Sequence, residues 1–271
     1  MDTKTEVTGG LVLGFIVLVL VLWYMSENPA PITRPVSPTT SKQAGSQGSP
    51  TLHLTESGKY YTLDAAYPGS TPLQASAGAT ADAKAVTLMK AFAQNSLDTF
   101  KEGNGLMKLT PEDIRVQGLD QGRSYSLAVT YSTRTGKQSV SYVYTLFMDT
   151  LGAHPNTYFR TFTFNSGTGD GMDISDLFLP GMDYLTLLSK ETRRVLPDML
   201  AHAENVSVSE INAKFIHDGT TPDPDNFQNW YIDGSTLVII FPPYQVAPYV
   251  DGPQEVRLPL STLPGVRASY K

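Results

Sequence analysis

The sequence predicts an α+β fold in which antiparallel sheets pack against helices, preceded by one transmembrane helix. Three observations lead to this prediction. Several short segments alternate apolar and polar residues and are separated by turn residues, as expected of hairpins. Longer segments repeat apolar residues with the helical period, and an uncharged apolar run lies near the N-terminus. Because strands and helices interleave without a regular strand–helix–strand order, we expect antiparallel pairing.

The most informative stretch lies near the C-terminus. Residues 229–232 and 237–241 are short runs of β-forming residues, and the Asp233-Gly234 pair between them suits a tight hairpin turn. The second run, Leu-Val-Ile-Ile-Phe, is apolar on both faces, so we expect a central strand that is covered on both sides. A long aromatic loop at 244–252 then precedes further extended structure at 255–260.

The segment that precedes this hairpin mixes strands and helices. Alternating apolar residues predict the strands, and apolar stripes with the helical period predict the helices. Asp183 is of the residue type that caps a helix N-terminus. In chain order we predict a strand at 60–67, a helix at 81–101, a hairpin with strands at 125–131 and 140–148, a strand at 157–164, a helix starting at Asp183 and a short helix at 207–216.

A charge-free segment at residues 7–25 predicts a membrane anchor. About 19 helical residues are just long enough to cross a bilayer core of roughly 30 Å. Trp23 and Tyr24 lie at one end, where a membrane interface favours aromatic rings. The alternative is a signal peptide cleaved near Ala30. With an uncleaved anchor, the protein is a single-pass protein of the cell membrane with an extracytoplasmic C-terminal domain.

These features divide the chain into three parts. Residues 1–25 are a short cytoplasmic N-terminus with the anchor, and residues 26–50 form a linker rich in Pro, Ser and Gly. Such a linker has too little apolar surface to fold and provides reach from the membrane. Residues 51–271 form the extracytoplasmic α+β domain, for which a division into subdomains 51–165 and 166–271 is left open.

Composition excludes some partners and kinds of site. The net charge is −6, so the chain repels phosphates and we predict no nucleic-acid partner, whereas a cationic protein partner is compatible with this charge. The chain has no cysteine, which excludes disulfides, thiolate metal sites and thiol catalysis.

Residues for catalysis or metal binding show no diagnostic spacing. The acidic loops around Asp173 and Asp225 miss the EF-hand pattern, and no serine lies in a Gly-x-Ser-x-Gly motif. The histidines are scattered one per segment. They are His53, His154, His202 and His217. We therefore predict no catalytic residues, no metal and no cofactor, and hence that the chain is not an enzyme.

The aromatic loop and its neighbours supply the candidate binding residues. Exposed tyrosines give rigid contact area for proteins or stacking area for sugars, and carboxylates would attract a cationic partner. The alternative is that the aromatic residues belong to the core. The candidates are Trp230, Tyr231, Tyr244 and Tyr249, with the carboxylates Asp223, Asp225 and Asp251.

The same region resembles a known family. After the hairpin, the matching residues are Phe241, Pro243, Tyr244, Val246, Ala247, Pro248, Tyr249, Gly252, Pro253, Gln254, Glu255, Val256, Pro259, Leu260 and Leu263, with a second match at residues 172–178. In this order they resemble the extracytoplasmic domain of RsiV-like, lysozyme-sensing anti-sigma factors, which is shared with the accessory domain of PdaC-like peptidoglycan deacetylases.

The resemblance implies an envelope protein that binds a ligand. On the RsiV-like side the implied ligand is a lysozyme-like muramidase, whose cationic surface would suit an acidic receptor. On the PdaC-like side the implied role is a peptidoglycan-binding, wall-glycan-binding or structural envelope module. In both cases we expect the membrane, through the anchor, to be a partner.

Overall fold

The computed structural model describes residues 49–271. The predicted anchor at 7–25 and nearly all of the linker lie outside the described residues. Within the described part, no helix combines the length and the apolar character needed to cross a membrane.

Five strands form the first sheet, sheet 1, in the order β1-β2-β3-β4-β5. Sequence analysis located four of them to within a few residues and missed β1, which pairs with β2 along its whole length. Their bounds are β1 (Thr51–Gly58), β2 (Tyr61–Pro68), β3 (Tyr125–Thr135), β4 (Ser139–Asp149) and β5 (Asn156–Asn165).

Sheet 1 is mixed, which corrects the prediction of purely antiparallel pairing. The pair β2–β3 is parallel, with Tyr61 opposite Tyr125, while the other three pairs are antiparallel. Parallel neighbours require a crossover connection, and here the long helix α1 (Gly78–Gly103) lies between the two strands in sequence. Residues 61–135 therefore form a β–α–β unit, which the irregular order of elements in the sequence did not reveal.

Three further helices follow α1: α2 (Pro111–Val116), α3 (Tyr184–Glu204) and α4 (Ala213–Gly219). Asp183 caps α3 as predicted, since its Oδ1 accepts a hydrogen bond from the Thr186 N–H at 3.1 Å. The short helix predicted at 207–216 is wrong in its bounds. A single 3-10 turn occupies Val208–Glu210, and α4 begins only after Asn212, whose side chain caps it.

The C-terminal hairpin forms the second sheet, sheet 2, in the order β6-β7-β8. Its strands are β6 (Trp230–Asp233), β7 (Thr236–Phe241) and β8 (Gln254–Pro259). Gly234 turns the chain with φ 60°, a conformation that glycine adopts without strain. The predicted central position of β7 is confirmed.

The two sheets and the two long helices form four layers in the order α1, sheet 1, sheet 2, α3. Leu237, Ile239 and Phe241 of β7 pack into the cluster that contains Leu188 and Leu196 of α3. On the opposite face, Val238 and Ile240 contact Val143 of β4 and Tyr231. Both faces of β7 are thus buried, which explains its continuous apolar sequence.

Candidate functional site

The loop between β7 and β8 is held against the end of α4. Gln245 Nε2 donates hydrogen bonds to the carbonyl oxygens of Gly219 at 2.9 Å and Asn226 at 3.0 Å. At Gly219 a Cβ atom would lie 1.8 Å from the Gln245 carbonyl oxygen, so only glycine permits this approach. The loop therefore has a fixed base.

Tyr244 projects from this base in a strained conformation. Its φ is 71°, in the left-handed region that tyrosine rarely adopts, and its side chain remains 44% exposed. Strain that is maintained at an exposed aromatic residue is a feature of ligand sites. Its ring lies beside that of Tyr249, with ring centroids 5.4 Å apart.

Tyr249 in turn stacks on His154, with ring centroids 3.9 Å apart and an interplanar angle of 25°. Its hydroxyl donates to the Pro155 carbonyl oxygen at 2.6 Å. The rings of Tyr244, Tyr249 and His154 form a continuous row, which we call the aromatic surface. Sequence analysis missed His154 because its neighbours in the row lie far along the chain and no local motif marks it.

The hydrogen bond of His154 fixes its tautomer. Nδ1 lies 3.0 Å from the Pro155 carbonyl oxygen, and because a carbonyl can only accept, Nδ1 carries the proton. In the neutral ring, Nε2 is then the nitrogen with the free lone pair. This arrangement suits a general base that removes a proton from water or a hydroxyl group.

Two carboxylates lie close to each other near the same loop. Burial raises the pKa of Asp251, which follows Tyr249 in a short 3-10 turn. Burial, and after it the charge of Asp251, raises the pKa of Glu204 at the end of α3. Burial, and then the neighbouring Tyr249, also raises the pKa of the Tyr244 hydroxyl. In all three groups burial is the main cause of the raised pKa, because partial desolvation disfavours the ionised form.

The other predicted site residues do not join the aromatic surface. Trp230 and Tyr231, which were predicted as binding residues beside the loop, are only 5% and 3% exposed. They lie on β6, where sheet 2 packs against its neighbouring layers. Asp223 is exposed, and its carboxylate accepts a hydrogen bond from the Asp225 N–H at 2.9 Å. Asp225 and Trp230 line a separate groove of about 560 Å³.

Metal-binding clusters are not found in the described chain: none of its His, Asp and Glu side chains gather in threes around a common point. Outside the aromatic surface, two histidines have carboxylate neighbours. His53 Nδ1 lies 2.7 Å from Asp64, and His217 Nδ1 lies 3.3 Å from Asp218. Both pairs are exposed.

Comparison with known proteins identifies one matching family and two curated relatives. Residues 175–261 match the family model described as "Protein of unknown function (DUF3298)". Esterase Rv3036c of Mycobacterium tuberculosis is 27% identical over 124 residues, which is 46% of this chain and 50% of the relative. The peptidoglycan-N-acetylmuramic acid deacetylase PdaC of Bacillus subtilis is 29% identical over 129 residues, 47% of this chain and 26% of the relative. The match thus spans half of the first relative and about a quarter of the second.

These two names contradict the prediction that the chain is not an enzyme. One relative is named an esterase and the other a deacetylase, and both names denote hydrolytic enzymes. The PdaC match also supports the PdaC-like side of the resemblance and an association with the envelope. The RsiV-like side remains a prediction.

Solved structures show the same fold. A DUF3298 family protein from Pseudomonas aeruginosa superimposes with a TM-score of 0.50 and 13% identity, covering 82% of this chain and 96% of that protein. A DUF3298 family member from Bacteroides fragilis gives a TM-score of 0.52 and 16% identity, covering 82% and 93%. The chain therefore has the α+β fold of DUF3298 proteins and carries a DUF3298-matching segment at residues 175–261.

Proposed function

We propose that residues 49–271 form an envelope module that binds acylated wall glycan on the aromatic surface. The observation that carries the proposal is the row of three rings, Tyr244, Tyr249 and His154, with centroid spacings of 5.4 and 3.9 Å. A sugar ring has an apolar face that packs on such rings, while its hydroxyls reach neighbouring polar groups. The relative PdaC is named for its action on peptidoglycan N-acetylmuramic acid, which supports this class of ligand.

The test is binding of the full chain to purified peptidoglycan and to soluble wall oligosaccharides. Tyr244→Ala removes an exposed ring, and loss of one stacking contact of about 0.5–1.5 kcal/mol should weaken binding by roughly twofold to twelvefold. The control is Phe147→Ala, which removes an equally exposed ring, 45% against 44%, on β4. Equal affinity of the Tyr244 variant and wild type would refute the aromatic surface as the binding site.

A second candidate function is hydrolysis of an acyl ester, and the tautomer of His154 favours it. With Nδ1–H bound to the Pro155 carbonyl, Nε2 can take a proton from water while the water oxygen attacks the acyl carbon. The proton would then pass to the leaving alkoxide. This mechanism is of the type that an esterase uses, and one relative is named an esterase.

The hydrolysis test uses 4-nitrophenyl acetate and O-acetylated glycan as substrates. General-base catalysis contributes about a hundredfold or more, so His154→Gln should lower kcat/KM by about that factor. His202→Gln, at an exposed histidine in the last turn of α3, is the matched control. Equal hydrolysis by wild type and His154→Gln would exclude His154 as the base.

We also propose that residues 7–25 anchor the protein in the membrane, with residues 51–271 on the extracytoplasmic side. The supporting observation is the uncharged length of that segment together with the linker composition. The full-length protein should fractionate with membranes. A mature N-terminus at or after Pro31 would instead identify a cleaved signal peptide.

A lysozyme-like muramidase is the competing ligand, through the RsiV-like resemblance. Its cationic surface would be attracted by the net charge of −6. Salt separates the two ligands, because attraction between opposite charges weakens as ionic strength rises, whereas stacking of a neutral sugar does not depend on charge. Binding that disappears at high salt would favour the protein ligand.

A further inference from the structure

β5 forms one edge of sheet 1, and part of this edge is open. At its C-terminal end the segment 170–172 covers the edge, with the Asn165 N–H donating to Asp170 O and the Met172 N–H to Thr163 O, both at 2.8 Å. In an antiparallel strand the N–H and C=O of one residue point to the same side, and the side alternates along the strand. The backbone groups of Asn165 and Thr163 point away from β4, toward the segment 170–172. Every second residue before them in β5 therefore also points its backbone groups away from β4.

By this alternation, the backbone N–H and C=O groups of Thr157, Phe159 and Thr161 also lie on the outer side of β5. In the part of the chain that the structure describes, no backbone segment pairs with this edge at Thr157 or Phe159. At Thr161 the neighbouring segment bonds to the side chain and not to the backbone, because the Thr161 hydroxyl accepts a hydrogen bond from the Trp230 N–H at 3.1 Å. An open edge of this kind can accept an added extended strand.

The groove of about 560 Å³ begins at this point of the strand. Its walls are residues 160–164 of β5, the segment 171–175 and the segment 224–230. Charges of both signs face it: Arg160, Asp173 and Asp225. The Arg160 guanidinium lies over the Phe162 ring, 5.3 Å from its centroid. Within residues 49–271 none of the three charged groups forms an ion pair. The Asp173 carboxylate also caps the 3-10 turn Ile174–Leu177, in a capping box with Asp176.

The groove and the aromatic surface lie toward opposite ends of β5. Pro155, which accepts the Tyr249 hydrogen bond, precedes the strand, and Arg160 follows five residues later. At about 3.3 Å per residue the two positions are roughly 16 Å apart. An extended peptide of about five residues has the same length.

We propose that the open edge of β5 and the groove bind the short peptide attached to wall glycan. The inference rests on the proposed function, in which the glycan itself lies on the aromatic surface. The peptide runs along Thr157–Thr161 as an added strand and exchanges backbone hydrogen bonds with Phe159. Arg160 binds a peptide carboxylate, and Asp173 and Asp225 bind an ammonium group. The ligand class is therefore a short extended peptide that carries both charges.

The test compares one wall oligosaccharide with and without its peptide, measured by calorimetry on the full chain. Wild type should bind the peptide-bearing ligand at least tenfold more tightly. Arg160→Gln should abolish this difference and leave the affinity for the peptide-free glycan unchanged. Arg115→Gln, at an exposed arginine paired with Glu112, is the matched control and should behave as wild type.

The outcomes separate the two proposals. Equal affinity of wild type for both ligands, or an equal loss for both ligands in Arg160→Gln, would overturn the peptide site while glycan binding stands. Binding of neither ligand would overturn the proposed function and the peptide site together. Strand addition is tested by hydrogen exchange, since the Phe159 N–H should become protected only with the peptide-bearing ligand, and unchanged exchange would contradict it.

Discussion

The hydroxyl of Tyr249 donates a hydrogen bond of 2.6 Å to the carbonyl oxygen of Pro155, a residue 94 positions earlier in the chain. Through this bond the loop between β7 and β8 of sheet 2 is held at the start of β5 in sheet 1. The same carbonyl oxygen orients His154. The geometry of the aromatic surface therefore depends on both sheets at once, and one atom of Pro155 sets the positions of two of its three rings.

Removing this hydroxyl should loosen the loop without removing the ring. We expect Tyr249→Phe to lower the free energy of unfolding by about 0.5–1.5 kcal/mol, because one intramolecular hydrogen bond is lost. Urea denaturation measures this change. Tyr158→Phe, at a tyrosine that is 48% exposed on β5, is the control and should leave stability unchanged. Equal stability of Tyr249→Phe and wild type would mean that the bond contributes nothing.

The strained backbone of Tyr244 predicts that a glycine variant is more stable than an alanine variant, the reverse of the usual order. At φ 71° a Cβ atom is disfavoured, so Tyr244→Gly should be more stable than Tyr244→Ala by about 1 kcal/mol. Both variants lose the ring and should bind glycan equally weakly. Thermal unfolding and binding assays on the two variants check this. Greater stability of the alanine variant would argue against strain at this position.

The approach of the loop to α4 makes Gly219 sensitive to any side chain. Gly219→Ala would place Cβ 1.8 Å from the Gln245 carbonyl oxygen, so the loop must shift and its two Gln245 hydrogen bonds weaken. We expect faster proteolysis within residues 244–252. Gly152→Ala is the control, because nothing lies within 4 Å of its added Cβ. Identical proteolysis of the two variants would contradict the fixed base.

The sequence predicted sheet 2 better than sheet 1, for a physical reason. β7 is covered on both faces, so burial imposes an apolar residue at every position, and Gly234 marks the turn. β1 is an edge strand whose residues are mostly exposed, and His53 and Glu56 interrupt any apolar pattern. Edge strands carry charges that prevent aggregation, so their pattern is weak in the sequence. The parallel pair β2–β3 depends on where α1 packs, which no local pattern encodes.

The candidate site was predictable only in part. The aromatic loop could be located because its prolines and tyrosines lie close together in the sequence, and this pattern identified Tyr244 and Tyr249 as candidates. His154 could not, since its stacking partner is distant in sequence. Trp230 and Tyr231 belong to a strand with apolar contacts on both faces, and the same residue types occur in cores and in binding loops. Residue type alone does not separate these cases.

The central strand should be the most stable part of the second sheet. Ile239 is fully buried between β6 and β8 and faces α3, so Ile239→Ala should lower the free energy of unfolding by about 2–5 kcal/mol through cavity formation. Thr236→Ala, at a half-buried position at the start of the same strand, should lower the free energy of unfolding much less. Hydrogen exchange should be slowest at residues 238–240 in wild type. Fast exchange there would contradict the central position.

Asp251 and Asp183 predict opposite effects of pH on stability. Burial raises the pKa of Asp251 above its ordinary value of 3.8, so its contribution to stability is present below that pH and is lost as pH rises through the folded-state pKa. Asp251→Asn cannot ionise, and it should therefore gain stability relative to wild type as pH rises through and above 3.8.

Hydrogen bonds from the side chain and backbone of Thr186 lower the pKa of Asp183. The pH dependence is therefore opposite to that of Asp251, and wild type should gain stability relative to Asp183→Asn as pH rises from below 3.8. Each variant is the control for the other, because both replace an aspartate by its neutral isostere. Urea denaturation at a series of pH values measures both differences. If the two variants changed in the same direction relative to wild type, the assignment of burial at Asp251 and capping at Asp183 as the causes would be wrong.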